Sequence, residues 1–166
     1  MPKFEAENPV VAVIMGSKTD WDIMKRTHEV LADLELEHEV RVYSAHRTPH
    51  ELSDYIDELP GRGCRVIIAA AGGAAHLAGV IASKTLLPVI GVPLPAWSLD
   101  GLDSLLSTAQ MPRGIPVASM AIGTHGAINA ALFAAQILAL NDETVREKLR
   151  LRREEQAQDI LRGQLE

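Results

Sequence analysis

The sequence predicts an α/β protein: a three-layer, doubly wound parallel sheet with flavodoxin-like strand order 2-1-3-4-5 and a C-terminal helical extension. Three observations lead there. Short apolar runs of strand length alternate with longer stretches of helical period, the pattern of strands joined by crossover helices. Most of those runs are apolar throughout, as strands covered on both faces must be. Hydrophobic residues make up 47% of the chain but aromatics only 4%, so Ala, Val, Ile and Leu fill the core. Right-handed crossovers then leave few topologies.

Residues 10–15 are a continuous apolar run ending at Gly16, a first strand. Residues 20–34 place Ile23, Thr27, Val30 and Leu34 on one face, with Met24 and Leu31 beside them, an amphipathic helix. Residues 36–43 form a second strand whose polar positions, His38, Glu39 and Arg41, suggest an edge or a more exposed face. Pro49 suits the first turn of the next helix, where its missing N–H costs nothing, and Pro60-Gly61 stops that helix after Leu59.

Residues 64–71 are a third strand, 74–86 a small-residue helix and 88–92 a fourth strand. A long connection over 93–114 carries a short helical pattern at 101–109 and the turn-like Gln110-Met111-Pro112-Arg113-Gly114. Residues 115–122 are a fifth strand. Residues 127–140 are a helix apolar nearly all round, and 142–161 a last helix rich in Arg and Glu with a thin stripe of Val145, Leu149, Ile160 and Leu161. The organisation expected is a tail over 1–9, an α/β domain over 10–141 and a final helical segment over 142–166 that packs on neighbouring subunits.

Composition narrows the function. A net charge of −6, from 16 basic and 22 acidic residues, argues against a nucleic-acid surface, which needs a basic field. The single cysteine, Cys64, cannot close an internal disulfide and fits a reducing compartment. The first eight residues lack an apolar signal core. The longest apolar stretch, 128–140, is broken by Asn129 and Gln136 and falls short of a membrane span.

The strand order dictates where a ligand sits. In open α/β sheets it binds beyond the carboxyl ends of the strands, where the winding reverses. With order 2-1-3, the loops after the first three strands meet at one crevice, and these loops carry the unusual residues. Gly16-Ser17-Lys18-Thr19-Asp20-Trp21 enters a helix, so its N–H groups favour an anion. Ser17 can donate to a phosphate and Asp20 can accept from ribose hydroxyls. The same spacing is also that of a capping box, Ser17 with Asp20 or Thr19 with Asp22. The loop is neither a P-loop nor a dinucleotide fingerprint, because the required glycines are missing.

In Ser44-Ala45-His46-Arg47-Thr48-Pro49, the Arg47 fork suits phosphate. His46 is the side-chain type that carries protons near neutral pH. His46 and His50 stand four apart, but Pro49 at a helix start separates them, and no metal site is expected. Ala71-Gly72-Gly73-Ala74-Ala75-His76-Leu77-Ala78-Gly79 lets backbone approach a flat ligand, although tight helix–sheet packing explains Ala78 and Gly79 as well. His76 either lines the cleft or bonds a backbone carbonyl. His28, His38 and His125 read as ordinary helix, strand and loop residues.

At these stretches the sequence resembles the class I N5-carboxyaminoimidazole ribonucleotide mutases of de novo purine synthesis, the PurE family. Residues 15–21, 44–49, 71–77 and 110–117 carry the resemblance, and it extends from about residue 10 to the last helix. Thr19 stands where serine is usual, and Ala78 where proline is usual. The resemblance implies an isomerase that moves a carboxyl group from the exocyclic nitrogen of an aminoimidazole ribonucleotide to ring carbon 4, with no metal or organic cofactor.

It implies that Ser17, Asp20 and Arg47 hold the ribose phosphate, that Gly16 beside them also binds substrate, and that His46 is the general acid/base. Ser44, Ala45, Gly72, Gly73, Ala74 and Ala75, with His76 and Leu77 beside them, wall the imidazole and carboxylate. It further implies a cytoplasmic homo-octamer acting on a small ribonucleotide, with no nucleic-acid or membrane partner. Two alternatives stay open: the class II activity, which carboxylates aminoimidazole ribonucleotide directly with carbon dioxide, and a non-catalytic nucleotide-binding module.

Overall fold

In the computed structural model, which describes residues 5–163, the apolar runs become five strands: β1 (Val11–Met15), β2 (His38–Val42), β3 (Val66–Gly72), β4 (Val89–Leu94) and β5 (Ala118–Ser119). They pair in parallel in the order β2-β1-β3-β4-β5, as expected. The helices are α1 (Trp21–Asp33), α2 (Pro49–Glu58), α3 (Leu77–Ala82), α4 (Leu102–Ala109), α5 (Thr124–Leu138) and α6 (Glu143–Arg162).

Successive residues of a strand point to opposite faces, and both faces are dry. Val11, Val13 and Met15 of β1 join Val66, Ile68 and Ala70 of β3 under α1 and α5. Ala12 and Ile14 join Ile67 and Ala69 under α2 and α3. Burying each large aliphatic side chain here stabilises by roughly 1.5–3 kcal/mol. The paucity of aromatics is met by close approach. α5 presents Ala127, Ala130, Ala131, Ala134 and Ala135, all fully buried. The Thr27 hydroxyl donates to the Ala127 carbonyl at 2.8 Å, tying α1 to α5 in the interior. On the other face Gly91 leaves room for α4: a Cβ there would stand 2.3 Å from Thr108 Cγ2.

Several elements differ from expectation, for physical reasons. α3 is shorter than 74–86, because Gly73 at φ +65° turns the chain before it and the Ser83 hydroxyl bonds back to the Val80 carbonyl at 2.7 Å after it. β5 is two residues rather than 115–122. It is an edge strand, and Pro116, which cannot donate to a ladder, lies just before it. β4 runs past 92 through Pro93 and Leu94, which pair in register with Ala71 and Gly72. His125 lies in the first turn of α5, not in a loop. His28 and His38 are joined: their ring nitrogens lie 2.7 Å apart and link α1 to β2.

Glu39 is the largest departure. β2 is an edge strand, as its polar positions suggest, but Glu39 is fully buried. Its Oε1 accepts from the Tyr55 hydroxyl at 2.8 Å and lies 2.7 Å from Arg62 Nη1, while Arg41 Nη2 is 3.3 Å from Oε2. A buried carboxylate needs such partners to offset its desolvation. Beside it Tyr55 is pushed far above the ordinary phenol range, by burial first and then by Glu39. The phenol therefore stays protonated and remains the donor.

Candidate active site

The three loops leave one edge of the sheet together. Met15, Val42 and Ala70 share one register position. Gly16 N–H donates to the Ala70 carbonyl at 3.1 Å, and Tyr43 N–H to the Met15 carbonyl at 2.9 Å. Each loop is then fixed internally. After β1, Ser17 caps a 3-10 turn over Lys18–Asp20: Asp20 Oδ2 accepts from Ser17 N–H at 2.9 Å, and Ser17 Oγ accepts from Thr19 N–H at 3.3 Å. The capping-box alternative is thus real. It leaves Ser17 and Asp20 lining the cleft all the same.

After β2, Ser44 N–H donates to Thr48 Oγ1 at 2.9 Å, whose hydroxyl returns a bond to the Ser44 carbonyl at 3.2 Å. This closes a turn with Ala45, His46 and Arg47 at its tip, and Pro49 starts α2 directly behind it. After β3, Gly73 turns the chain, and the turn delivers His76 to the start of α3.

Two bonds between loops hold the three together. Arg47 sends Nη2 to the Gly16 carbonyl at 3.1 Å, while its Nε donates to Ser44 Oγ at 3.2 Å. His46 Nε2 lies 2.9 Å from His76 Nδ1. Neighbouring residues thus diverge, Arg47 to the loop after β1 and His46 to the loop after β3. Both side chains are exposed, so they are available to a ligand.

Between the loops lies a cleft of about 490 Å³. Gly16, Ser17, Asp20, Ser44, Ala45, His46, Arg47, Gly72, Ala74 and Leu77, all expected from the sequence, line it. Ala75 does not line it and is buried, at 1% exposed. Gly73 lies beneath the ring of Trp97, and His76 takes part through its bond to His46. Four lining residues, Thr19, Ala71, Ala96 and Trp97, were not foreseen as site residues. Thr19 and Ala71 sit inside motifs already noted. Ala96 and Trp97 arrive on the connection after β4, where no motif marks them.

The electrostatics are mixed. Burial raises the Asp20 carboxyl above its ordinary range, opposed by N–H bonds from Ser17 and Gly16 and by the charge of Arg47. The cleft therefore offers a fork of cationic donors, a hydroxyl pair (Ser17 Oγ and Thr19 Oγ1, 2.9 Å apart), an imidazole pair and a wall of small residues. That set can hold an anionic sugar phosphate and move a proton on a flat group beside it.

Residues 10–159 match the family model described as AIR carboxylase. The chain is 52% identical over 153 residues to the N5-carboxyaminoimidazole ribonucleotide mutase of Bacillus subtilis (strain 168), covering 92% of this chain and 94% of that protein. It is 52% identical to the proteins of the same name from Saccharolobus solfataricus (95% and 99% covered) and Escherichia coli K12 (93% and 92% covered). Among solved structures it is similar to PurE of Treponema denticola, with a TM-score of 0.85 and 28% identity over 93% of this chain and 95% of that one.

Proposed function

The chain belongs to the AIR carboxylase family, and from that premise we propose that it is the mutase of de novo purine synthesis that converts N5-carboxyaminoimidazole ribonucleotide to 4-carboxy-5-aminoimidazole ribonucleotide. The observation that carries the reading is the divergence of His46 and Arg47 from one loop into one small-walled cleft.

Ser17 and Arg47 hold the phosphate, and Asp20 accepts from the ribose hydroxyls. The carbamate then loses carbon dioxide while protonated His46 gives its proton to the departing nitrogen. Ring carbon 4 attacks the trapped carbon dioxide, and the proton on that carbon returns to the now neutral imidazole. One proton is given and one recovered, so the reaction is an isomerisation and needs no other reactant. Proton transfer of this kind contributes about 10²–10⁴-fold. The cleft adds proximity by keeping the gas molecule against the ring.

The active form is a homo-oligomer, by the resemblance an octamer, and the final helical segment packs on neighbouring subunits. The apolar side chains left uncovered support this: Leu140 is 74% exposed, and Leu151, Ile160 and Leu161 of α6 are exposed too. A small chain gains stability by covering such surface with copies of itself. The buried lone thiol of Cys64 fits the cytoplasm. Among the described residues no helix is long and apolar enough to cross a membrane.

The test is to supply purified protein with each ribonucleotide, with and without bicarbonate, and follow product absorbance. Conversion of the N5-carboxy compound without bicarbonate is expected. Conversion only of aminoimidazole ribonucleotide with added bicarbonate would make it the direct carboxylase instead. Binding without conversion of either would leave a nucleotide-binding module.

A further inference from the structure

Trp97 belongs to no motif in the sequence, yet the fold sets it in the wall of the cleft, beside Ala96 and across from the loops that carry His46 and Arg47. Its backbone is at φ +54°, a left-handed conformation that is an outlier for a bulky residue and persists only where the surroundings impose it. They do so here. Asp100 and Gly101 also have positive φ, and Pro95 Cα lies 3.1 Å from where a Gly101 Cβ would be. Ala96 Cβ would stand 2.8 Å from a Cβ on Gly72.

The indole gains little from burial where it stands, since Trp97 is 81% exposed. It is held by contact with a glycine: a Cβ on Gly73 would meet ring carbons at 2.3, 2.8 and 2.9 Å. The ring therefore rests on the bare Gly73 backbone, and any side chain at 73 would displace it. A strained, exposed aromatic seated on a glycine at the rim of a cleft is not a core residue.

Apart from the imidazole of His46, which the proton transfer employs, the residues lining the remaining wall carry no aromatic ring. The residues lining the cleft besides Trp97 are glycines, alanines, hydroxyl residues, Asp20, His46, Arg47 and Leu77. Such a wall admits a flat heterocycle but gives it little to stack upon. An exposed indole supplies a π-face, which attracts a planar base largely irrespective of its sequence of substituents.

We propose that Trp97 stacks on the aminoimidazole ring of the ribonucleotide, making it the residue that binds the flat heterocycle, separate from the phosphate grip of Ser17 and Arg47. The inference rests on the mutase reading of the same cleft and adds to it the residue that recognises the base.

The test uses the full chain carrying Trp97→Ala or Trp97→Phe, with the carboxylated aminoimidazole ribonucleotide and ribose 5-phosphate as the two ligands. Trp97→Ala is expected to weaken the nucleotide by about tenfold or more, the size of one base–aromatic stack, and to leave ribose 5-phosphate within about twofold. Trp97→Phe keeps a π-face and is expected to bind the nucleotide within about threefold of the original. In a Trp21→Phe chain, where Trp97 is the remaining tryptophan, nucleotide but not ribose 5-phosphate should quench the emission.

Unchanged nucleotide affinity in Trp97→Ala, or equal loss of both ligands, overturns the proposal. So does a changed assembly size at unchanged affinity, which would make Trp97 a subunit contact. An unsubstituted protein that isomerises neither ribonucleotide and binds neither would overturn the mutase reading itself.

Discussion

His46 Nε2 and His76 Nδ1 are 2.9 Å apart, with the two rings edge to face at 87°. One nitrogen must donate and the other accept, so the pair shares a proton and each ring fixes the tautomer of the other. Thirty residues of chain separate them. The pairing of β1 with both β2 and β3 brings them together.

His76 is accordingly a positioning residue for His46. His76→Leu is expected to lower turnover about tenfold while KM stays within about threefold, because an unanchored imidazole loses orientation but the phosphate grip is intact. His76→Asn, which can still hydrogen-bond, should recover part of the loss. Steady-state kinetics on both variants decides it. Equal damage from the two would mean that the bond to His46 is not what matters.

Arg47 acts on the other side of the same loop. Arg47→Ala should weaken the ribonucleotide by about 10–100-fold, the range for a charge-assisted hydrogen bond. It should change binding of the dephosphorylated nucleoside far less. Calorimetric titration of both ligands separates phosphate recognition from a general loss of loop order.

Asp20 gives a pH signature with a definite sign. Burial raises its carboxyl above the ordinary range, so the folded chain binds that proton more tightly than the unfolded chain does. Stability from this group is therefore greatest below the unfolded pKa and falls as pH rises through the raised one, then levels. Asp20→Asn removes this contribution. The Tm of the original chain relative to Asp20→Asn should decline across that window as pH rises. A rise across it would contradict the direction.

Tyr55 and Glu39 test the interior behind the site. Tyr55→Phe removes a donor from a fully buried carboxylate, which should destabilise the chain by about 1–3 kcal/mol in denaturant unfolding. The phenol is held far above its ordinary range, so this loss should be the same at neutral and mildly alkaline pH.

Much of this was legible in the chain. Apolar runs ending at Gly16, near Ser44 and at Gly72 placed three loops on one sheet edge, because a doubly wound sheet must send them there. Local composition could not show burial against a distant element. Glu39 alternates like a solvent-facing strand residue, and Tyr55 on α2, Arg62 after it and Arg41 of its own strand make its burial tolerable. The length of β5 depended on pairing with β4, which residues 115–122 do not reveal. Trp97 was invisible for a similar reason. Its partner is the absent side chain of Gly73, a relationship set by the fold and not by spacing.

The central claim is that one imidazole moves protons on the heterocycle while separate groups hold the sugar phosphate. His46→Asn tests it most directly, with turnover and ribonucleotide affinity measured on the same preparation. Abolished turnover with affinity within about tenfold, or about 1.4 kcal/mol, is the predicted result. Turnover at the level of the unsubstituted protein would contradict the role given to His46, and with it the mechanism.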